Sequence, residues 1–153
     1  MINRAKKNKK KFEKSTIEIL KENVFENSIA NETADFVVSG FGLKTFNDEQ
    51  LKKLANEINR ILKPNGKFSL IEVSVPNSTF LKPFFMFYLK HVIPIIGKLF
   101  LGSPDTYKML GVYTAEFGNS KNVYQIFNNL EFEVEYVEYF YGCASGIKGR
   151  KIP

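Results

Sequence analysis

Between Ala34 and Val75 the spacing of hydrophobic positions changes twice, and the rest of the chain is organised around that change. Asp35-Phe-Val-Val-Ser-Gly-Phe41 is a short apolar, β-branched run opened by an acid, the pattern of a strand buried on both faces of a parallel sheet. After the connection F-G-L-K-T-F, the apolar positions are Leu51, Leu54, Ala55, Ile58, Ile61 and Leu62, which fall on one side of a 3.6-residue period. Asn47 is placed to cap this helix, with Gln50 as its capping-box partner, and Pro64-Asn65-Gly66 stops it. K-F-S-L-I-E-V-S-V then reads as the next strand. Strand, helix and strand in this order build a right-handed parallel unit.

The same reading applies on either side. Ile17, Ile19 and Leu20 suggest a short strand over about Thr16–Lys21, followed by Glu22-Asn23-Val24 at its carboxyl end. Phe80 to Leu101 is the most hydrophobic stretch. Lys82, Lys90, His91 and Lys98, together with Pro83, Pro94 and Gly97, argue against a membrane span and for a buried helix pair broken at proline. Val123, Ile126, Phe127 and Leu130 mark one face of a further helix capped by Asn119 or Ser120. E-F-E-V-E-Y-V-E-Y alternates as a strand, Gly142 permits a turn, and C-A-S-G-I-K-G-R-K is the last, antiparallel strand.

Certain motifs sharpen this outline. F-G-L-K, R-I-L-K-P-N-G, I-E-V-S-V-P, H-V-I-P-I-I-G and the D-T-Y run resemble the second half of a class I S-adenosylmethionine (SAM)-dependent methyltransferase. More narrowly, the chain resembles the ubiquinone/menaquinone-biosynthesis C-methyltransferase family. The turn R-x-L-K-P-x-G is shared by many methyltransferases; the other motifs are narrower. The resemblance implies an α/β fold, a partial Rossmann-like methyltransferase sheet made of the family's strands three to seven. A helical cap, about residues 76–118, is inserted after the fifth strand. The family's strand order is third, second, first, fourth, fifth, seventh, sixth. Its first strand and glycine-rich loop find no counterpart, since no G-x-G-x-x-G or G-x-G-x-G occurs here. The whole chain therefore reads as the C-terminal portion of one such domain, with residues 1–14 as the end of a basic helix.

The resemblance also implies site residues. Asn23 and Val24 fall where the adenine is contacted and packed. Gly40 and Phe41 fall where cofactor contacts arise at the end of the fourth strand; the family more often has Ser at the first of these. Lys44 stands where the family's Arg is a candidate for activating the acceptor ring, and a lysine is a point charge without the planar fork. His91, the only histidine, is a candidate base or a structural residue of the cap. Glu72, Tyr88 and Tyr107 are expected near the substrate, with Glu72 alternatively satisfying a buried backbone amide. The cofactor implied is SAM and the acceptor an aromatic or quinone-like small molecule.

Composition changes this picture little. A chain of 153 residues with 44% hydrophobic content suffices for one core. The net charge of +6 is all in residues 1–14, where seven basic residues face Glu13. Without a nucleic-acid motif or a downstream basic surface, this reads as a solvated helix face and not a nucleic-acid site. The single cysteine, Cys143, excludes an internal disulfide, and no cluster has metal-ligand spacing. No secretory h-region follows the basic start, so the expected location is cytoplasmic, with contact to a membrane periphery left open. Three readings stand at this point. One is a methyltransferase, completed by a homo-oligomer or a complementing chain. The second is a truncated, non-catalytic remnant. The third is a small module that binds membrane surfaces through the basic start and the Phe-rich stretch.

Overall fold

A computed structural model describes residues 2–9, 16–100 and 104–153. Its centre is a four-stranded sheet in the order β1 (Ala34–Gly40), β2 (Leu62–Val73), β4 (Ala144–Lys151), β3 (Phe132–Tyr139). β1 and β2 are parallel, with Val37 beside Phe68 and Gly40 beside Ile71. β4 runs antiparallel to both β2 and β3, with Ile147 paired to Leu70 on one side and Tyr136 on the other. This is the fourth-fifth-seventh-sixth portion of the expected order.

The connection between the parallel strands is α2 (Asp48–Ile61), and it forms for the reasons its sequence gives. Asn47 accepts from the Gln50 amide at 2.9 Å, and the Gln50 side chain accepts from the Asn47 amide at 3.0 Å, so two otherwise unpaired donors are satisfied. Leu51, Leu54, Ala55, Ile58 and Ile61 are all buried. The helix ends at Leu62, and Asn65 adopts a left-handed φ of 64° in the turn back to the sheet. A Cβ on Gly66 would lie 2.8 Å from the Lys63 carbonyl, which makes glycine the residue that fits there. Residues 63–66 therefore loop out between the Ala34–Leu62 and Phe36–Lys67 pairings.

α6 (Lys121–Asn128) lies beside α2 on the same sheet face. Val123, Ile126 and Phe127 pack with Phe68, Leu70, Phe132 and Ile147 into one core. The Phe68, Phe127 and Phe132 rings lie 5.0–5.5 Å apart. Each such side chain stabilises the fold by about 1.5–3 kcal/mol through burial. Asn119, not Ser120, bonds the first turn, accepting from the Lys121 amide at 3.0 Å. The Ser120 hydroxyl turns inward and, with Ser74, meets the hydroxyl of Ser145, tying α6 to β2 and β4.

Two expectations are corrected. The strand expected over about Thr16–Lys21 does not form: residues 16–22 have no regular structure, although exposure alternates along 16–20. An isolated strand has no neighbour to take its backbone groups. The following segment is instead tied to α2. Arg60 donates to the Ile29 carbonyl and to Asn31 Oδ1, both at 2.7 Å, and Asn27 donates to Glu57 Oε1 at 2.7 Å. The second correction concerns the Phe80–Leu101 stretch. Proline does not break it within the described residues. α3 (Leu81–Phe87) continues through a π-helical turn, Tyr88–Val92, into α4 (Ile93–Phe100). The Ile93 amide reaches back five residues to the Tyr88 carbonyl, so the wider turn just before Pro94 accommodates its missing donor. Nor is this stretch buried: Phe80, Phe84, Phe87, Ile95 and Leu99 are all more than half exposed.

α5 (Pro104–Phe117) packs against α4, the π turn and the loop after β1, which connects the cap to the sheet. Gly111 allows α5 to pass close to the Lys90 side chain. In the basic segment, α1 (Ile2–Lys9) is helical; Lys10, Lys11 and Lys14 lie outside the described residues. Among the described residues no helix is long and apolar enough to cross a membrane.

Candidate active site at the carboxyl end of the first strand

β1 ends at Gly40, and the next residue holds an unusual backbone. Phe41 has a φ of 63°, in the left-handed region that aromatic residues avoid, and its ring is 59% exposed. Its amide donates to the Ile71 carbonyl at 2.9 Å, continuing the parallel ladder. Gly40 has room for a side chain, the nearest atom to an added Cβ being Ile71 Cγ2 at 3.9 Å. Its glycine is thus not required by packing, and leaves space beside the open edge of the strand.

A buried ion pair anchors this turn. Lys44, in the 3₁₀ turn Leu43–Thr45, places Nζ 2.6 Å from Glu72 Oε1 on β2. The two side chains are 7% and 0% exposed. Glu72 also accepts from the Lys44 amide at 3.1 Å and the Val73 amide at 2.8 Å, so its carboxylate has the partners that a buried charge requires. Lys44 Nζ lies 3.5 Å from the Phe41 carbonyl as well. Lys44 is paired with Glu72, and Glu72 takes the buried-amide alternative by accepting from the Val73 amide. Together they hold the strained Phe41 turn against β2.

The Glu22–Glu26 segment converges on the same end of the sheet. Asn23 and Glu26 close a small turn in which Asn23 Oδ1 accepts from the Phe25 amide at 3.1 Å. The Ser28 amide and hydroxyl donate to Glu22, and these bonds hold its carboxyl below the ordinary carboxylate range. Asn23 is exposed and Val24 is 47% exposed. The residue that fixes the turn is Phe25, whose ring meets Phe46 edge-on at 5.1 Å. Phe25 and Phe46 were not singled out in the sequence. The signal for them is an aromatic residue in each of the two loops expected at the cofactor. The structure therefore sets the turn at Asn23 against the loop after β1 through the Phe25–Phe46 contact.

The cap residues are distributed differently. His91 is exposed, and its ring lies tilted against Phe87 at 4.9 Å, one helical turn away. Tyr88 is 43% exposed in the π turn. Tyr107 packs its ring onto Gly97, where a side chain on α4 could not fit. Tyr107 is therefore part of the α4–α5 contact, while Tyr88 and His91 remain accessible. Between the loop after β1 and α5 lies a polar cleft of about 320 Å³ lined by Lys44, Thr45, Asn47, Tyr113, Glu116 and Asn122, among others.

These residues fit one side of an S-adenosyl cofactor. They offer a small turn with an exposed Asn23 whose Oδ1 is held by the Phe25 amide, an exposed aromatic face and a strand end without a side chain. They include no glycine-rich backbone cradle. The match to known proteins agrees with that division. Residues 1–151 match the ubiE/COQ5 methyltransferase family. A demethylmenaquinone methyltransferase of Alkalihalophilus pseudofirmus is 34% identical over 132 residues, covering 84% of this chain and 55% of the relative. The Oceanobacillus iheyensis protein of the same name is 31% identical over 152 residues, covering 99% of this chain and 63% of the relative. The chain thus spans roughly half to two-thirds of the length of these relatives. Among solved structures, a SAM-dependent methyltransferase from Aquifex aeolicus matches 98% of this chain and 63% of its own length, with a TM-score of 0.59 at 18% identity. Human N-acetylserotonin methyltransferase in complex with SAM matches 90% of this chain and 34% of its own, with a TM-score of 0.56 at 15% identity. The chain shares the Rossmann-like fold of these solved structures, and in sequence it belongs to the ubiE/COQ5 methyltransferase family.

Proposed function

We propose that this chain supplies the acceptor side of a SAM-dependent methyltransferase acting on an aromatic, quinone-like small molecule. The observation that carries the reading is the strained, exposed Phe41 turn at the carboxyl end of β1, followed by a loop whose Phe46 packs against Phe25 of the turn at Asn23. Ligands of open α/β sheets bind at strand carboxyl ends. Bound SAM would supply an electrophilic methyl group on a sulfonium. Asn23 and Val24 would hold the adenine, Gly40 would admit the cofactor close to the strand end, and the exposed face of Phe41 would favour the sulfonium charge. Lys44 and Glu72 act here as positioning residues for Phe41. His91 is the accessible group suited to accept a proton from the acceptor.

The acceptor's greasy part is assigned to the aromatic face of α3 and α4, with Tyr88 beside it. That face is also the part of the chain suited to touch a bilayer from which a prenylated acceptor is drawn. Names of the relatives support the quinone-like class, and because no G-x-G-x-x-G or G-x-G-x-G occurs in the sequence, the reading calls for a further polypeptide segment at the cofactor site.

Calorimetric titration with S-adenosylhomocysteine tests this reading. The expected result is no micromolar binding by the chain alone, and micromolar binding once the stretch of the Oceanobacillus relative outside the match is joined to it. Absence of binding in both forms contradicts the methyltransferase reading and favours a non-catalytic protein.

A further inference from the structure

The hairpin joining β3 to β4 turns on residues that suit its backbone poorly. Phe140, Tyr141 and Gly142 have φ values of 51°, 58° and 86°, three left-handed residues in succession. Hairpin turns that need such values take Asn, Asp or Gly, because a bulky side chain crowds the backbone there. Phe140 and Tyr141 are 78% and 90% exposed, so packing within the chain does not repay the strain. The backbone around them is fixed. The Cys143 amide donates to the Phe140 carbonyl at 3.1 Å, and the Ser74 amide donates to the Cys143 carbonyl at 2.9 Å. Val73 pairs with Ala144, so the tip stands at the end of the sheet where β1 and β2 finish. Asn77 donates to Glu138 at 3.3 Å, and a Cβ on Gly142 would come within 3.3 Å of Pro76 Cα. The tip is thereby set beside the segment that enters α3.

That segment leads to Phe80, the first of an exposed stripe formed by Phe80, Phe84, Phe87, Ile95 and Leu99. In an unbroken α-helix Leu99 would lie about 100° round from Phe80. The π turn at Tyr88–Val92 takes up one extra residue and returns Leu99 to the stripe. Residues 80–100 contain no acid, and Lys82, Lys90 and Lys98 are exposed among the apolar positions. The acid nearest the tip, Glu138, is held by the Tyr136 hydroxyl at 2.8 Å as well as by Asn77.

We propose that Phe140 and Tyr141 form an anchor that enters the headgroup region of an anionic bilayer alongside the α3–α4 stripe. The part played by the stripe rests on the bilayer-facing role given to it above; the hairpin tip is a separate element that this role did not include. Rings settle at the boundary between headgroups and acyl chains, and lysines beside them reach lipid phosphates. A chain that keeps two exposed aromatic residues where Asn and Gly would relieve the backbone gains from them outside its own fold. A protein partner fits this surface less well, because tip and stripe come from two separate elements and neither lines the polar cleft.

The test is co-sedimentation of the full chain with vesicles of phosphatidylcholine alone or in equal parts with phosphatidylglycerol. Binding should favour the anionic vesicles. Phe140→Asn with Tyr141→Gly should weaken it at least tenfold while leaving denaturant stability unchanged or higher, since both replacements suit the turn. The chain has no tryptophan, so Tyr141→Trp reports on the tip directly: its emission should shift to the blue on anionic vesicles. Several results would overturn the proposal. They are absence of vesicle binding, equal binding to both compositions, binding that survives loss of the two rings, and a double variant less stable than the parent. An emission shift that follows protein concentration without vesicles would assign the tip to a second copy and overturn it too. Titration of S-adenosylhomocysteine into the chain joined to the Oceanobacillus stretch separates the two readings. Vesicle binding without S-adenosylhomocysteine binding keeps the anchor and contradicts the cofactor assignment; the converse contradicts the anchor alone.

Discussion

The two faces of one sheet show how differently the same strands can be used. On one face Phe68, Leu70, Phe132 and Ile147 meet α2 and α6, and nearly all their surface is removed from water. On the other, the β3–β4 half is a lattice of opposite charges that water satisfies, while the β1 half exposes Phe36 and Val38. The covered face explains how the chain holds a fold. The bare apolar quarter is what remains after charges and helices have accounted for the rest, and it adjoins the candidate site.

The contrast can be broken most forcefully on the covered face. Phe127→Ala should cost about 3–5 kcal/mol, because a fully buried ring leaves a cavity between Phe68 and Phe132. Denaturant unfolding measures this, and a loss below ~1 kcal/mol would show that α6 is not part of the core. Lys44→Met comes next. It leaves the Glu72 carboxylate buried with backbone donors only, at a cost of about 3 kcal/mol. Lys44→Met with Glu72→Leu should recover most of that loss; failure to recover would mean that the lysine acts through something other than Glu72.

A smaller effect is expected with pH. The Arg60 guanidinium, bonding both Glu57 oxygens, holds that carboxyl below the ordinary range. A carboxyl lowered in the folded state contributes stability above its unfolded pKa, and the contribution disappears as pH falls through the folded value. Stability should therefore fall more steeply below about pH 4.5 in the parent chain than in Glu57→Gln. Parallel acid-unfolding curves would contradict the assignment. The smallest effect belongs to the bare face: Phe36→Lys and Val38→Lys should each change stability by no more than about 0.5 kcal/mol. A loss of ~2 kcal/mol in melting experiments would mean that this face is already covered.

Much of this was legible in the sequence where the interactions are local. The capping box at Asn47 and Gln50, the apolar stripe of α2 and the alternation of β3 each depend on residues a few positions apart. The alternation near Ile17 does not make a strand, because alternation alone does not supply a neighbouring strand. Pro94 was read as a break because the sequence does not reveal a π turn that absorbs the lost bond. At the site, Asn23, Val24, Gly40 and Phe41 are candidates through the family resemblance alone. The Lys44–Glu72 pair joins residues 28 apart, and nothing at either position marks them as partners. Phe25 carries no local mark for a similar reason, since its partner Phe46 lies across the fold.

The central claim is that an S-adenosyl ligand binds at the carboxyl end of β1. Backbone amide chemical shifts, recorded while S-adenosylhomocysteine is added to the joined chain, test it most directly. Changes concentrated at Asn23–Phe25 and Gly40–Gly42, with β3 and α6 still, are the predicted result. Changes confined to α3–α5 or to the β3–β4 face, or none at saturating ligand, would contradict it.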